Sequence, residues 1–277
     1  MIRQPGYSDI KWLRMQACDD STRRTIDVIE ADQLALRLHG TPTSGNRLIK
    51  LNFQQGTFFT TRATAHSLVH VFVQIFKQQE HMLIDEFRNL RNSTILDLGA
   101  NEGYYAIAMA QKRQNNRVIA IEPNPKAYEL LKKNVDTNNL SMIQTLNVAA
   151  WKKSGTIKFY FLPQVTSIGS LMLLNSSYLK EVPNRVQSIN VRAVTLQEIV
   201  TRFKLDKIDL LKIDIEGAEL ELLQSARATL EITDKIVIEY HSQAIKRDVR
   251  IFLESMGFKL KFHSLDRRDF GDLYFMR

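Results

Sequence analysis

Two glycines, two acids and an asparagine crowd one short segment, Ile95-Leu-Asp-Leu-Gly-Ala-Asn-Glu-Gly-Tyr-Tyr105, in a 277-residue chain with only 11 glycines. The apolar lead-in reads as a strand and the sequel as a helix. Asp97, Gly99, Asn101, Gly103 and Tyr104 therefore fall on or beside a strand-to-helix turn. Glycines at such a turn let the backbone pass close to a ligand and present helix N-terminal amides to it. Glu122, followed by Pro123, closes the next strand 25 residues after Asp97. An acid about 20 residues on, at the end of the second strand, is placed to accept the hydroxyls of a ribose. The pair calls for an adenosine-containing ligand. The alternative is a glycine turn kept only for tight helix–sheet packing, which leaves Glu122 without a purpose.

A dinucleotide site would carry G-x-G-x-x-G, so that the backbone meets an anionic pyrophosphate. Here Asp97 precedes the first glycine and Asn101 stands in place of the central one. A carboxylate at the mouth would repel a pyrophosphate and suit a ligand bearing an ammonium and a sulfonium. S-adenosylmethionine is therefore expected rather than NAD, lodged where Asp97 and Glu122 meet.

Two further constellations carry acids to strand ends. In Leu210-Leu-Lys-Ile-Asp-Ile-Glu-Gly217, the apolar residues make a buried strand and Asp214 sits at its carboxyl end, where open α/β sheets bind ligands. Glu216 and Gly217 turn the chain into a helix, in whose first turn Glu219 and Glu221 read as partners of the helix dipole. In Ile236-Val-Ile-Glu-Tyr-His-Ser242, period-two alternation puts Glu239 and His241 on one side. A neutral imidazole there can take a proton from a hydroxyl. No metal-ligand set is assigned, although Asp214, Glu239 and His241 could supply oxygen and nitrogen donors if their strand tips adjoin. The single cysteine, Cys18, excludes a disulfide framework and a four-cysteine metal site.

Around these sites the chain changes texture near residue 90. Before it, Leu34–His39 and Leu48–Phe53 read as strands around a turn at 39–46, and residues 56–62 continue the sheet. Leu68–Leu90 reads as a helix with Val69, Phe72, Val73 and Phe76 on one side. After it, strands alternate with helices: Thr94–Leu98, Glu102–Lys112, Arg117–Glu122, Pro125–Asn138, Met142–Ala149, an inserted β-pair at 155–162 and 187–194, Thr195–Phe203, Ile208–Ile213, Gly217–Leu230, Lys235–Tyr240, Gln243–Met256, Phe258–His263 and Leu273–Met276. Alternation of this kind means right-handed βαβ units and a parallel sheet covered on both faces. The last two strands can form only an antiparallel hairpin. The expected class is a doubly wound α/β sheet ending in that hairpin, residues 91–277, with an α+β appendage at residues 1–90.

Composition narrows the setting. The net charge is +8, but its basic pairs are scattered and none reaches the block of a nucleic-acid-binding arm. The N-terminus has no apolar run of a secretory signal. The uncharged stretch Phe159–Leu179 contains proline, glycine and asparagine, which argues against a membrane span. A cytoplasmic location is expected.

With these segments in hand, the chain resembles the FkbM-type S-adenosylmethionine-dependent methyltransferases. The likeness rests on LDLGANEGYY (96–105), IEPNP (121–125), LNVAAW (146–151), VTLQEI (194–199), LLKIDIEGAELELL (210–223) and IVIEYHS (236–242). It implies a class I, Rossmann-like fold, donor binding through Asp97, Gly99, Asn101, Gly103, Tyr104, Glu122 and Pro123, adenine near Asn147 and Ala149, and Asp214 close to the reacting methyl. The expected reaction is methylation of a hydroxyl on a sugar or polyketide-like small molecule. Asp214 or His241 would be the base, with Glu216 and Glu239 orienting the acceptor. Two competitors remain open. Methylation of an RNA ribose survives because its acceptor is also an alcohol. A non-catalytic adenosine-binding module would have no need of acids at the later strand tips.

Overall fold

The computed structural model describes residues 7–39, 47–61, 64–111, 115–163, 165–172, 179, 183–264 and 270–277. The N-terminal part begins with two helices, α1 (Tyr7–Gln16) and α2 (Asp20–His39). The Asp19 carboxylate accepts from the Thr22 amide at 2.7 Å, which caps the second of them. The strand expected at Leu34–His39 is in fact the end of α2. Leu34, Leu36 and Leu38 alternate as a strand would, but Ala, Leu, Gln and Arg are strong helix formers carried on from an established helix. Strands β1 (Leu48–Phe53) and β2 (Gly56–Thr61) pair antiparallel, as expected, in a sheet of their own. Of the expected 39–46 turn, residues 40–46 lie outside the described residues, as does the Lys112 helix end.

Helix α3 (Ala65–Phe76) buries Val69, Phe72 and Val73. It stops at Phe76 rather than running to Leu90. The polar run Lys77-Gln-Gln-Glu-His81 interrupts the apolar stripe, so a continued helix would have no face to bury. The chain instead turns through Gln79 and His81, both with positive φ (56° and 61°), before α4 (Asp85–Arg88). The rings of Phe53, Phe58 and Phe72 pack together and onto Tyr104 further along the chain. The amides of Thr57 and Phe59 donate to Asn138 and Asn134. The first 90 residues thus share one apolar cluster with the strands and helices that follow.

Those elements are β3 (Thr94–Leu98), α5 (Tyr104–Ala110), β4 (Arg117–Ile121), α6 (Pro125–Thr137), β5 (Ile143–Leu146), β6 (Ala149–Ala150), β7 (Gly155–Leu162), β8 (Val165–Ser170), β9 (Gln187–Val194), α7 (Leu196–Phe203), β10 (Leu210–Ile213), α8 (Glu219–Ser225), α9 (Arg227–Glu231), β11 (Lys235–Tyr240), α10 (Gln243–Ser255), β12 (Lys259–His263) and β13 (Gly271–Met276). Seven form the central sheet in the order β12-β13-β11-β10-β3-β4-β5. The five from β11 to β5 are parallel, and β13 runs antiparallel to both of its neighbours. Alternate side chains feed opposite faces: Ile95, Val118, Leu210 and Val237 one core, Leu96, Ile119, Leu211 and Ile236 the other.

Two expected elements divide. The expected third strand, Met142–Ala149, divides between β5 and β6, the latter joining a second sheet, β6-β9-β7-β8, that contains the inserted pair. The helix expected at Gly217–Leu230 divides at Ala226 into α8 and α9. Thr195 caps α7, accepting from the Glu198 amide. The Glu198 side chain, however, bonds Ser154 rather than closing a capping box. Among the described residues no helix is long and apolar enough to cross a membrane.

Candidate active site

β3 lies between β4 and β10, the place where the strand order reverses, and the loops there open into one cavity. Gly99 is at its floor with φ of +76°. A Cβ on Gly99 would stand 1.8 Å from the carbonyl oxygen of Asp214, so only glycine lets the β3 and β10 tips meet. Gly103 makes room for a different neighbour. Its Cβ would strike Leu131 of α6, and it is not part of the cavity wall.

Glu122 does line the cavity. Its two oxygens accept from the amides of Asn101 (2.8 Å) and Asn124 (2.7 Å), which fixes the carboxylate and leaves each oxygen a lone pair. Burial pushes the Glu122 carboxyl up to about 7 against the effect of those two amides. Ionised, it accepts hydroxyls; protonated, it loses half that capacity. Donor affinity is therefore expected to fall about tenfold between pH 8 and pH 6 and to level off above pH 8. Calorimetry across that range checks this, and a flat profile would remove Glu122 as the ribose acceptor.

At the other end of the cavity, titratable groups converge from five segments. Lys212, buried inside β10, places its ammonium 3.3 Å from Asp97, 3.4 Å from Asp214 and 3.1 Å from the Gly99 carbonyl. His81, on the turn after α3, has Nδ1 2.9 Å from buried Asp272 and Nε2 3.8 Å from Asp214. His241, just past β11, repeats the plan: Nδ1 is 3.0 Å from fully buried Glu219, and Nε2 faces Asp214, Glu216 and Glu239 at 3.8, 3.6 and 3.7 Å. Burial would raise Asp214, but Lys212 and the two imidazoles outweigh it and hold the carboxyl below its ordinary range. Burial and the neighbouring Asp214 charge push Glu239 well up. Burial would lower both histidines; Asp272 raises His81 instead, and Glu216 with Glu219 raise His241 further.

The residues expected from the sequence divide accordingly. Gly99, Asn101, Tyr104, Glu122, Pro123, Ala149, Asp214, Glu216, Glu239 and His241 all border the cavity. Asp97 does not: it is fully buried beside Lys212, so the expectation of a carboxylate at the mouth is corrected. Lys212 has neutralised it, and the preference for a cationic ligand cannot rest on it. The Tyr104 ring is committed to Phe58 and Phe72, and its hydroxyl to Glu102. Asn147 lies behind the wall, donating to the carbonyls of Glu122 and Pro123 and so fixing that turn. Glu219, taken as a dipole partner, is instead the support of His241. His81, Lys212 and Asp272 were missed. The interrupted stripe at 77–81 and the lysine inside an apolar strand were the signals available for the first two.

The strand order, with its antiparallel β13 inserted beside β11, and the ligand cavity at the β3 and β4 tips define a class I, Rossmann-like methyltransferase fold. Residues 97–260 match the methyltransferase FkbM domain, and the chain belongs to that family. It is similar to methyltransferase sdnD of Sordaria araneosa, 26% identical over 61% of this chain and 74% of that protein. It is similar also to hexuronic acid methyltransferase AglP of Haloferax volcanii (24%, over 64% and 67%) and to 2-O-methyltransferase NoeI of Sinorhizobium fredii (26%, over 54% and 64%). Among solved structures, fibrillarin of Aeropyrum pernix in complex with S-adenosyl-L-methionine aligns over 84% of this chain and 98% of that one, with 14% identity and a TM-score of 0.46.

The family's methyl donor is S-adenosylmethionine, and the cavity fits it. Gly99 lets the β3 and β10 tips close beside the cavity, Glu122 has lone pairs for a ribose diol, and the buried Asn101 Oδ1 has no protein partner among the described residues. Ile121, Pro123, Ala149 and Phe159 supply apolar wall for an adenine.

Proposed function

We propose that this protein is an O-methyltransferase whose acceptor is a hydroxyl on a sugar or polyketide-like small molecule. The names of the hexuronic acid and 2-O-methyltransferase relatives support the sugar reading. The observation that carries the alcohol reading is the pair of carboxylate-backed imidazoles facing Asp214. S-adenosylmethionine supplies an already activated methyl, so the chain's own work is alignment and removal of a proton.

Asp97 and Lys212 brace the β3 and β10 tips, and Glu122 and Asn101 hold the adenosine side. Residues of the first 90, among them Gln74, Gln78, Glu80 and His81, wall the other side of the cavity and recognise the acceptor. Between the two imidazoles, His81 is the better base. Three carboxylates surround His241 Nε2 and favour its charged form, whereas within 4 Å His81 Nε2 faces Asp214 alone among them. His81 takes the hydroxyl proton at Nε2 while Asp272 holds its Nδ1–H. Asp214 and Glu239 orient the acceptor.

A panel of hexuronic acids, other sugars and polyketide alcohols, assayed for donor-dependent gain of one methyl, tests the acceptor class. His81→Gln is expected to lower kcat about 100-fold with donor affinity within twofold of wild type. Unchanged kcat in that variant, or methyl gain only on nitrogen, would remove this assignment.

A further inference from the structure

We propose that Asp214, Glu216 and His241 form a binding site for one divalent transition-metal ion of the Mn2+ or Zn2+ kind, at the acceptor end of the cavity. The inference deepens the methyltransferase reading and rests on it only for the ion's role, not for its binding.

The spacing is the first argument. His241 Nε2 stands 3.6 Å from Glu216 and 3.8 Å from Asp214, too long for hydrogen bonds. Donors around an ion at about 2.1 Å are themselves about 3.0–3.5 Å apart, so a small contraction closes this set. One donor atom from each residue lies within 4.8 Å of the others.

The second argument is the imidazole's orientation. Glu219 Oε1 accepts from the Gly217 amide at 2.9 Å and lies 3.0 Å from His241 Nδ1. A single buried carboxylate thus fixes the turn that carries Glu216 and the tautomer that frees the Nε2 lone pair. Carboxylate-backed histidines of this kind are the usual outer support of a metal ligand. The third is charge. Asp214, Glu216 and Glu219 crowd one histidine, and the nearby ammonium of Lys212 is shared with Asp97. A divalent cation would balance them.

A second set, His81, Asp214 and Glu239, lies on the other side of Asp214. It is the weaker of the two, because the Asp214 oxygen facing His81 is the one 3.4 Å from the Lys212 ammonium, which repels a cation. Donors of nitrogen and oxygen without sulfur select Mn2+, Co2+ or Zn2+, and the imidazole disfavours Mg2+.

An ion here would polarise the acceptor hydroxyl and lower its pKa. In the transfer, the hydroxyl oxygen forms a bond to the methyl carbon and the carbon–sulfur bond breaks. The electron pair goes to sulfur and the hydroxyl proton to His81 Nε2.

The test uses the full chain, stripped with a chelator and titrated with MnCl2 without donor or acceptor, free Mn2+ being read by electron paramagnetic resonance. The expected result is one Mn2+ per chain, displaced by Zn2+, with binding at least tenfold weaker in Glu216→Gln and in His241→Gln. Absence of bound Mn2+ and of bound Zn2+ in the wild-type chain up to about 1 mM, the far end of useful affinity, would overturn the site. So would unchanged affinity in both variants. Calorimetry with S-adenosylmethionine on the same samples keeps the readings apart. Donor binding without metal binding sinks the ion alone, and metal binding without donor binding sinks the methyltransferase reading alone.

Discussion

Replacing Lys212 with methionine is expected to destabilise the protein by about 3–5 kcal/mol, the range for a buried ion pair that loses one partner. Asp97 is fully buried, and Lys212 is the cation beside it at 3.3 Å. Methionine fills the volume and leaves the carboxylate without its counter-charge. Burial already raises the Asp97 carboxyl against the pull of Lys212, and without the lysine it rises further. An acid whose folded pKa exceeds its unfolded one stabilises the fold most below the unfolded value, and that contribution is lost as pH rises through the folded value. The variant should therefore lose least at acidic pH and most near pH 8. Denaturant unfolding at several pH values measures this. A loss under 1 kcal/mol at pH 8 would mean that Lys212 is not the brace described.

Gly99→Ala is expected to abolish measurable donor binding and to cost several kcal/mol as well. The added Cβ would meet the Asp214 carbonyl at 1.8 Å, and both groups belong to backbone that cannot swing aside. Overpacking costs about 1–3 kcal/mol. Holding a Cβ at φ of +76° adds about 1–2 kcal/mol. The relief available is separation of the β3 and β10 tips, which displaces Asp214 from both histidines. Gly103→Ala is the control. It meets only the end of the Leu131 side chain, outside the cavity, and should lower stability with donor affinity kept. Equal donor affinity in wild type and Gly99→Ala, measured by calorimetry on folded samples, would show that the joined β3 and β10 tips are not the binding surface.

Local pattern sufficed where one strand or helix settles a residue's place. β3, β4, β10 and β11 are short apolar runs that end in Gly99, Glu122, Asp214 and His241, and strand ends of a parallel sheet converge on one edge. That is why Gly99, Glu122, Asp214, Glu239 and His241 could each be placed at or beside a strand tip from the sequence, although whether the later tips adjoin could not be read from spacing. Period failed where a polar run or a helix-forming one mimicked another element. Leu34–His39 alternates like a strand inside a helix, and the stripe through Phe76 hid the turn that delivers His81.

By itself, then, the chain's order of residues determined the alternation of strands and helices, the glycine turn and the acids at the strand tips, because each follows from neighbours a few positions apart. Only tertiary structure decided what those acids face. Asp97 looks like a ligand carboxylate until a lysine from a strand 115 residues later closes on it, and Glu219 looks like a dipole partner until β11 brings His241 to it. His81 and Asp272, 191 residues apart, become a dyad only when the α3 turn folds over the sheet edge. Charge and burial at such positions are properties of distant pairs, and no local pattern encodes them.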